Sequence, residues 1–143
     1  MLIAHVVREK GATIHTLEAE ATLEQAAKEL HVRKVGALVV TGADGALMGV
    51  LSERDIVREV AKRGACCLAE RVSSAMSRDV ITAAPHETVD EGLGRMTDRR
   101  IRHLPVLADG RLVGIVSIGD LVKHRIAAVE MEAKAMEDYI AAR

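Results

Sequence analysis

The alternation of hydrophobic and polar positions changes period several times along this chain, and it does so twice in the same order. After Thr22 the apolar residues Leu23, Ala26, Ala27 and Leu30 fall at helical spacing, with Gln25 at the capping-box position. Thr88 opens a copy, with Glu91 in the place of Gln25 and with Val89, Leu93 and Met96 on the apolar face. Each predicted helix leads into a short apolar strand, at 37–40 or 103–107, and then into an Asp-Gly turn at Asp44-Gly45 or Asp109-Gly110. A second apolar strand, at 47–51 or 112–116, runs straight into a helix starting near Ser52 or Ser117. Upstream, Thr16 in IHT and Thr82 in VIT mark one further short strand in each half. The predicted order in each half is strand, helix, strand, strand, helix.

The copies agree in residues as well as in pattern. Shifted by 65 residues, Asp44, Gly45, Leu47, Gly49, Ser52, Asp55 and Val57 match Asp109, Gly110, Leu112, Gly114, Ser117, Asp120 and Val122. Thr16 and Thr82 are 66 apart, so the first hairpin holds one extra residue near Gly42 or Ala43, where a turn tolerates it. The first repeat begins at about Ala12 and ends at about Gly64. The chain then divides into a first motif with its N-terminal lead at 1–65, a connecting segment at 66–79, a second motif at 80–127 and a helical tail at 128–143. The connecting segment is read as including a short helix over 68–76. In the tail Val129, Ala133, Met136 and Ile140 form an apolar stripe for the body or a partner subunit, with Glu130 and Lys134 as an i,i+4 pair opposite. A lone unit of about 60 residues is marginal, which gives the repeats a physical reason to pair.

Hydrophobic residues make up 49% of the chain, enough for a core. Charged residues reach 29% with a net charge of −1, which argues against an extended nucleic-acid surface. Phe and Trp are absent and Tyr139 is the one Tyr, so stacking platforms for single strands are missing. Cys66 and Cys67 are adjacent and have no further Cys to complete a metal set or a disulfide framework, which suits a reducing cytoplasm. No apolar run resembles a signal peptide or approaches the roughly 18 residues of a membrane span. His5, His15, His31, His86, His103 and His124 are scattered, without metal-protease spacing and without a nucleophile nearby, so an enzyme is not indicated.

The repeated G-hydrophobic-hydrophobic-S-x-x-D, with its upstream Thr, resembles the tandem cystathionine-beta-synthase (CBS) domain family in its standalone bacterial form. KVGALVVTGADGALMGVLSERDIVREV and RIRHLPVLADGRLVGIVSIGDLVKH carry the resemblance, which extends over about 13–126. It implies an α/β (α+β) fold of two pseudo-symmetric motifs, each a small three-stranded sheet with flanking helices, packed as one pair (a Bateman module). It implies a homodimer and clefts between motifs for adenosine-containing ligands. AMP is preferred here, with ATP, NAD or S-adenosylmethionine as the other candidates and no metal. The resemblance gives the ribose hydroxyls to Asp55 and Asp120, places Ser52 and Ser117 near the phosphate, and gives ribose or phosphate contacts to Thr16 and Thr82. Adenine is expected between Val35, Ala37, Ile101 and Leu104, and Gly36 and Pro105 are counted among the nucleotide-binding residues. The resulting reading is a non-catalytic sensor that signals through dimer geometry to an unidentified protein target. The alternative is a constitutive dimeric scaffold with vestigial clefts.

Several of these residues have a second reading. A carboxylate accepts both hydroxyls of a ribose diol well, yet Ser52-x-x-Asp55 and Ser117-x-x-Asp120 are equally capping boxes. Unpaired N–H groups and the positive dipole end at each helix start suit a phosphate. Arg54 reaches either a phosphate or water. Arg95, Arg99, Arg100, Arg102 and His103 form a basic run, either a solvated helix end or, at Arg102 and His103, a phosphate trap. Lys123 and His124 are weaker phosphate candidates, read first as an exposed helix face. Pro105 stands at a strand donor position where the first half has Val39, which marks an edge or distorted strand. Asp44 and Asp109 are turn formers, and Met131 and Met136 gap fillers.

Overall fold

A computed structural model describes residues 1–11 and 13–142; Ala12, where the first repeat was placed to begin, and Arg143 at the end of the tail lie outside the described residues. The chain forms two compact units. One is Ile14–Ile81; the other joins Met1–Thr13 to Thr82–Arg143. The N-terminal lead therefore belongs with the second repeat, although in sequence it precedes the first.

In the unit Ile14–Ile81 the predicted order is present. Strand β1 (Thr16–Glu18) is followed by helix α2 (Leu23–Arg33), strands β2 (Ala37–Thr41) and β3 (Leu47–Ser52) and helix α3 (Glu53–Arg63); helix α1 (Ile3–Lys10) lies in the other unit. The sheet order is β1-β2-β3, with β1 parallel to β2 and β3 antiparallel to it. Thr22 caps α2 as expected: its side chain accepts from the Gln25 N–H, and Gln25 returns a bond to the Thr22 N–H. The helix stops at Lys34, which is left-handed (φ 56°), and the next N–H, of Val35, returns to the Leu30 carbonyl. Leu23, Ala26, Leu30, Leu38, Val40, Leu51, Cys67 and Val72 form the core beneath the sheet.

The helix read over 68–76 is instead two 3-10 turns, Ala65–Ala69 and Val72–Ser74. Between them the backbone bonds elsewhere: the Leu23 N–H donates to the Glu70 carbonyl and the Val72 N–H to that of Ala21. A segment that spends its polar groups on a neighbour cannot close its own i→i+4 ladder.

The second unit holds α1, α4 (Val89–Arg99), β4 (His103–Ala108), β5 (Arg111–Ser117) and α5 (Ile118–Ala141). Its sheet has two strands, β4 and β5, antiparallel. The strand expected at Thr82 is reduced to a single parallel bridge between Ala83 and Val106. The Ala83 N–H donates to the Pro105 carbonyl and the Leu107 N–H to the Ala83 carbonyl. The rung before would need an N–H from Pro105, and the rung after an N–H from Pro85, and proline has none. The first unit keeps the later rung, from the Ala19 N–H to the Thr41 carbonyl. The two prolines of the chain thus shorten one strand at both ends.

The one-residue offset resolves in the hairpins. Residues 109–110 make a two-residue turn with Asp109 at φ 51° and Gly110 at φ 77°, the type I′ pattern. The first hairpin has the longer turn Ala43-Asp44-Gly45, with the Gly42 N–H on the Ala46 carbonyl and Gly45 at φ 79°. The core of this unit is Ile3, Val6, Val89, Met96, Leu104, Val106, Val116 and Leu121. Thr88 caps α4, but the Glu91 side chain does not complete the box. Residues 129–142 are exposed throughout, so the tail stripe is not packed on the body, and Lys134 pairs with Asp138 (3.3 Å) rather than with Glu130.

Candidate functional site

In each unit the antiparallel hairpin gathers the predicted residues at one end of its sheet. β1 begins where β2 begins, with Thr16 opposite Val39, and β3 ends there, with Ser52 opposite Ala37. In the second unit Ser117 lies opposite His103, and Ala83 bridges to Val106 one residue beyond Thr82. Thr16 with Ser52 and Asp55, and Thr82 with Ser117 and Asp120, are therefore brought to the same end of their own sheets. Among the described residues the hydroxyls of Thr16 and Thr82 have no hydrogen bond; the Thr82 carbonyl accepts from Arg95 (2.9 Å).

Both serines cap their helices and both aspartates complete the box, so the capping reading is realised at both sites. The carboxylates are nevertheless differently engaged. Asp55 is 7% exposed. Its Oδ2 accepts from the Ser52 N–H (2.8 Å) and hydroxyl (3.1 Å), and its Oδ1 pairs with Arg58 Nη1 (3.0 Å). Asp120 Oδ2 accepts from the Ser117 N–H (2.8 Å) and from Lys10 Nζ (2.8 Å). Among the described residues no hydrogen bond falls on its Oδ1, and its side chain is 28% exposed. Burial pushes the Asp120 carboxyl up, but the Lys10 ammonium and the Ser117 N–H outweigh it and hold the group below its usual range.

The helix starts offer less to a phosphate than an uncapped end would. The first N–H of α3, on Glu53, donates to the Gly36 carbonyl (3.0 Å), and that of α5, on Ile118, to the Arg102 carbonyl (2.8 Å). The third is taken by the serine in each case. One of the first three N–H groups remains per helix, on Arg54 and on Gly119.

Ala37 (5% exposed) and Leu104 (0%) are buried, as is Pro105. Val35 and Ile101, expected with Ala37 and Leu104 around adenine, are half-buried. Val35 and Gly36 also line an open groove with Leu30, His31, Lys34 and Glu53, to which Asp55 does not contribute. Arg54 and Arg102 are exposed, and His103 is half-buried. Within the basic run, Arg95 is half-buried and forks onto Glu87. His124 is buried, not on an exposed face; Nδ1 meets the Asp120 carbonyl (2.9 Å) and Nε2 the Glu9 carboxylate (2.6 Å).

Two partners of the site went unread. Arg58 stands one turn from Asp55, a spacing visible on the helix. Lys10 reaches Asp120 across 110 residues, and no local pattern announces that. Gly49 and Gly114 allow close cover of the two hairpins: a Cβ at Gly49 would sit 2.7 Å from the Ser77 carbonyl, and one at Gly114 3.0 Å from Val7. Among the described residues no group of three or more His, Cys, Asp or Glu is placed to hold a metal ion, and no helix is long and apolar enough to cross a membrane.

Comparison with known proteins is consistent with this geometry. The family model of the CBS domain, a non-catalytic regulatory module, matches residues 7–62 and 72–127. The Arabidopsis thaliana protein described as CBS domain-containing protein CBSX3, mitochondrial, is 33% identical over 96% of this chain and 71% of its own length. The crystal structure of the CBS-domain containing protein ATU1752 from Agrobacterium tumefaciens superposes with a TM-score of 0.85 at 42% identity, covering 87% of this chain and 92% of that one. The CBS domain pair of protein MJ0100, solved in complex with 5′-methylthioadenosine and S-adenosyl-L-methionine, gives a TM-score of 0.79 at 26% identity over 90% of this chain and 98% of that one. With the family model covering both repeats, the chain belongs to the CBS domain family and carries two of its motifs in tandem.

Proposed function

We propose that this chain is a regulatory module that binds adenosine-containing ligands, with Asp120 as the principal ribose anchor. The observation that carries the reading is the open Oδ1 of Asp120 on a partly exposed, ionised carboxylate at the head of α5. A ribose diol needs an acceptor that is charged, fixed and not already satisfied. Asp120 meets all three conditions, and Thr82 stands at the same end of the sheet. The adenosyl ligands of the MJ0100 domain pair support the ligand class. AMP is the preferred ligand, with ATP, NAD and S-adenosylmethionine as competitors. Occupancy is passed on through the geometry of a homodimer to a protein target in the cytoplasm, and a ligand achieves this by binding one state more tightly than another.

Asp55 favours the scaffold reading for its own half, since Ser52 and Arg58 already engage both of its oxygens. Calorimetric titration with AMP, ATP, NAD and S-adenosylmethionine tests both readings. Asp120→Asn is expected to weaken binding by about tenfold or more, the loss of a charge-assisted bond, and Asp55→Asn by less. Failure of all four ligands to bind at millimolar concentration would leave the scaffold in place of the sensor.

A further inference from the structure

We propose that Lys10 reads the charge of the ligand at Asp120, so that this site selects adenosyl ligands with a 5′-phosphate over uncharged or cationic ones. The inference rests on Asp120 being the ribose anchor. Lys10 closes α1, and its Nζ donates to Asp120 Oδ2 (2.8 Å) and to the Ile115 carbonyl (3.0 Å). An ammonium has three donors, so one is uncommitted, on a side chain 37% exposed. The helix that delivers it is anchored by Ile3 (0% exposed) and Val6 (1%), and Val7 lies against Gly114. The backbone is therefore held, and the charged head alone has freedom to turn toward a ligand.

Lys10 and Asp120 together are neutral. A ribose hydroxyl can engage Oδ1 without displacing Lys10 from Oδ2, which leaves the ammonium beside the ligand. The 5′ substituent, attached to the same ribose ring, then decides the electrostatics. A phosphate supplies a charged acceptor, adenosine only a neutral 5′-hydroxyl, and a sulfonium brings a like charge. The first motif has no equivalent. The cation at Asp55 is Arg58, which divides its guanidinium between Asp55, the Ala75 carbonyl and Glu59.

Site-resolved titration of the full chain by amide chemical shifts tests this, with Ser117 and Gly119 reporting one site and Ser52 and Arg54 the other. At the Asp120 site AMP is expected to bind more tightly than adenosine, and S-adenosylmethionine more weakly than either. Lys10→Met should weaken AMP by about tenfold while adenosine changes by less than about twofold, and Lys10→Arg should restore the preference. An unchanged AMP-to-adenosine ratio in Lys10→Met overturns the role of Lys10 and leaves the ribose anchor standing. Wild-type protein that binds S-adenosylmethionine more tightly than AMP at this site overturns it without any variant. Absence of shifts with every ligand removes the anchor itself, and Lys10 with it.

Discussion

Arg95 and Glu87 satisfy the backbone groups on the side of the Ala83 segment that faces away from β4. Pro85 and Pro105 remove the rungs on either side of Ala83. Arg95 donates to the Thr82 carbonyl (2.9 Å), and Glu87 accepts the Ala84 N–H (2.7 Å) while pairing with Arg95. Both side chains are mostly covered, at 30% and 17% exposure, so screening by water is limited. The Arg95 bond outweighs burial and holds the Glu87 carboxyl below its ordinary value of 4.5. A lowered carboxylate means that the unfolded chain binds more protons than the folded one on the acid side. The contribution is thus complete above the ordinary glutamate range and is lost as pH falls through the folded value. Glu87→Gln is expected to flatten the dependence of stability on pH between about 3 and 5, measured by urea unfolding at each pH. An acid limb as steep as in the wild type would show that Glu87 is not its source.

At the scale of elements, what could be read in advance was what depends on neighbours in sequence. The capping boxes at Thr22, Ser52 and Ser117 and the Asp-Gly turns are set by residues three or fewer positions apart, and all are present. The helix over 68–76 and the strand at Thr82 failed because their fate lay in partners far along the chain, Ala21 and Leu23 in one case and Pro105 in the other. The turns also differ in what they demand. Asp109 must be left-handed at φ 51°, whereas in the longer first turn the left-handed position is Gly45 (φ 79°). Asp109→Val is expected to cost about 1–2 kcal/mol, the penalty of a bulky residue in that region. Ala43→Val, at a position with no positive φ, should cost far less. Urea midpoints of the two variants compare them directly, and equal shifts would contradict the assignment of strain to Asp109.

The molecule as a whole is not the simple tandem that its repeats suggest, because its second unit is discontinuous. Met1–Thr13 joins Thr82–Arg143, and the joint is structural. The Ile3 N–H donates to the Glu87 carbonyl (2.8 Å) and the Val89 N–H to that of Met1 (3.0 Å), beside the bridge from Leu2 to Thr88. The first unit solves the same problem within itself, through Glu70–Val72 bonding Ala21 and Leu23. Those equivalences place the segment before each repeat in a common role: it covers the helix start with backbone bonds and the hairpin glycine with a side chain or carbonyl. α1 adds the Lys10–Asp120 and Glu9–His124 pairs to α5. Sequence order alone assigned this lead to the wrong neighbour, since hydrophobic spacing shows that α1 has an apolar face but not what that face meets. Deleting residues 1–11 is therefore expected to release the second unit selectively. It strips Ile3 and Val6 from the core, at a cost of several kcal/mol by analogy with large-to-small core changes. Amide hydrogen exchange should show protection lost across α4, β4, β5 and α5 and retained across α2, β2 and β3. Equal loss in both sets would mean that the units unfold as one, and the lead would then serve the whole chain rather than the repeat it completes.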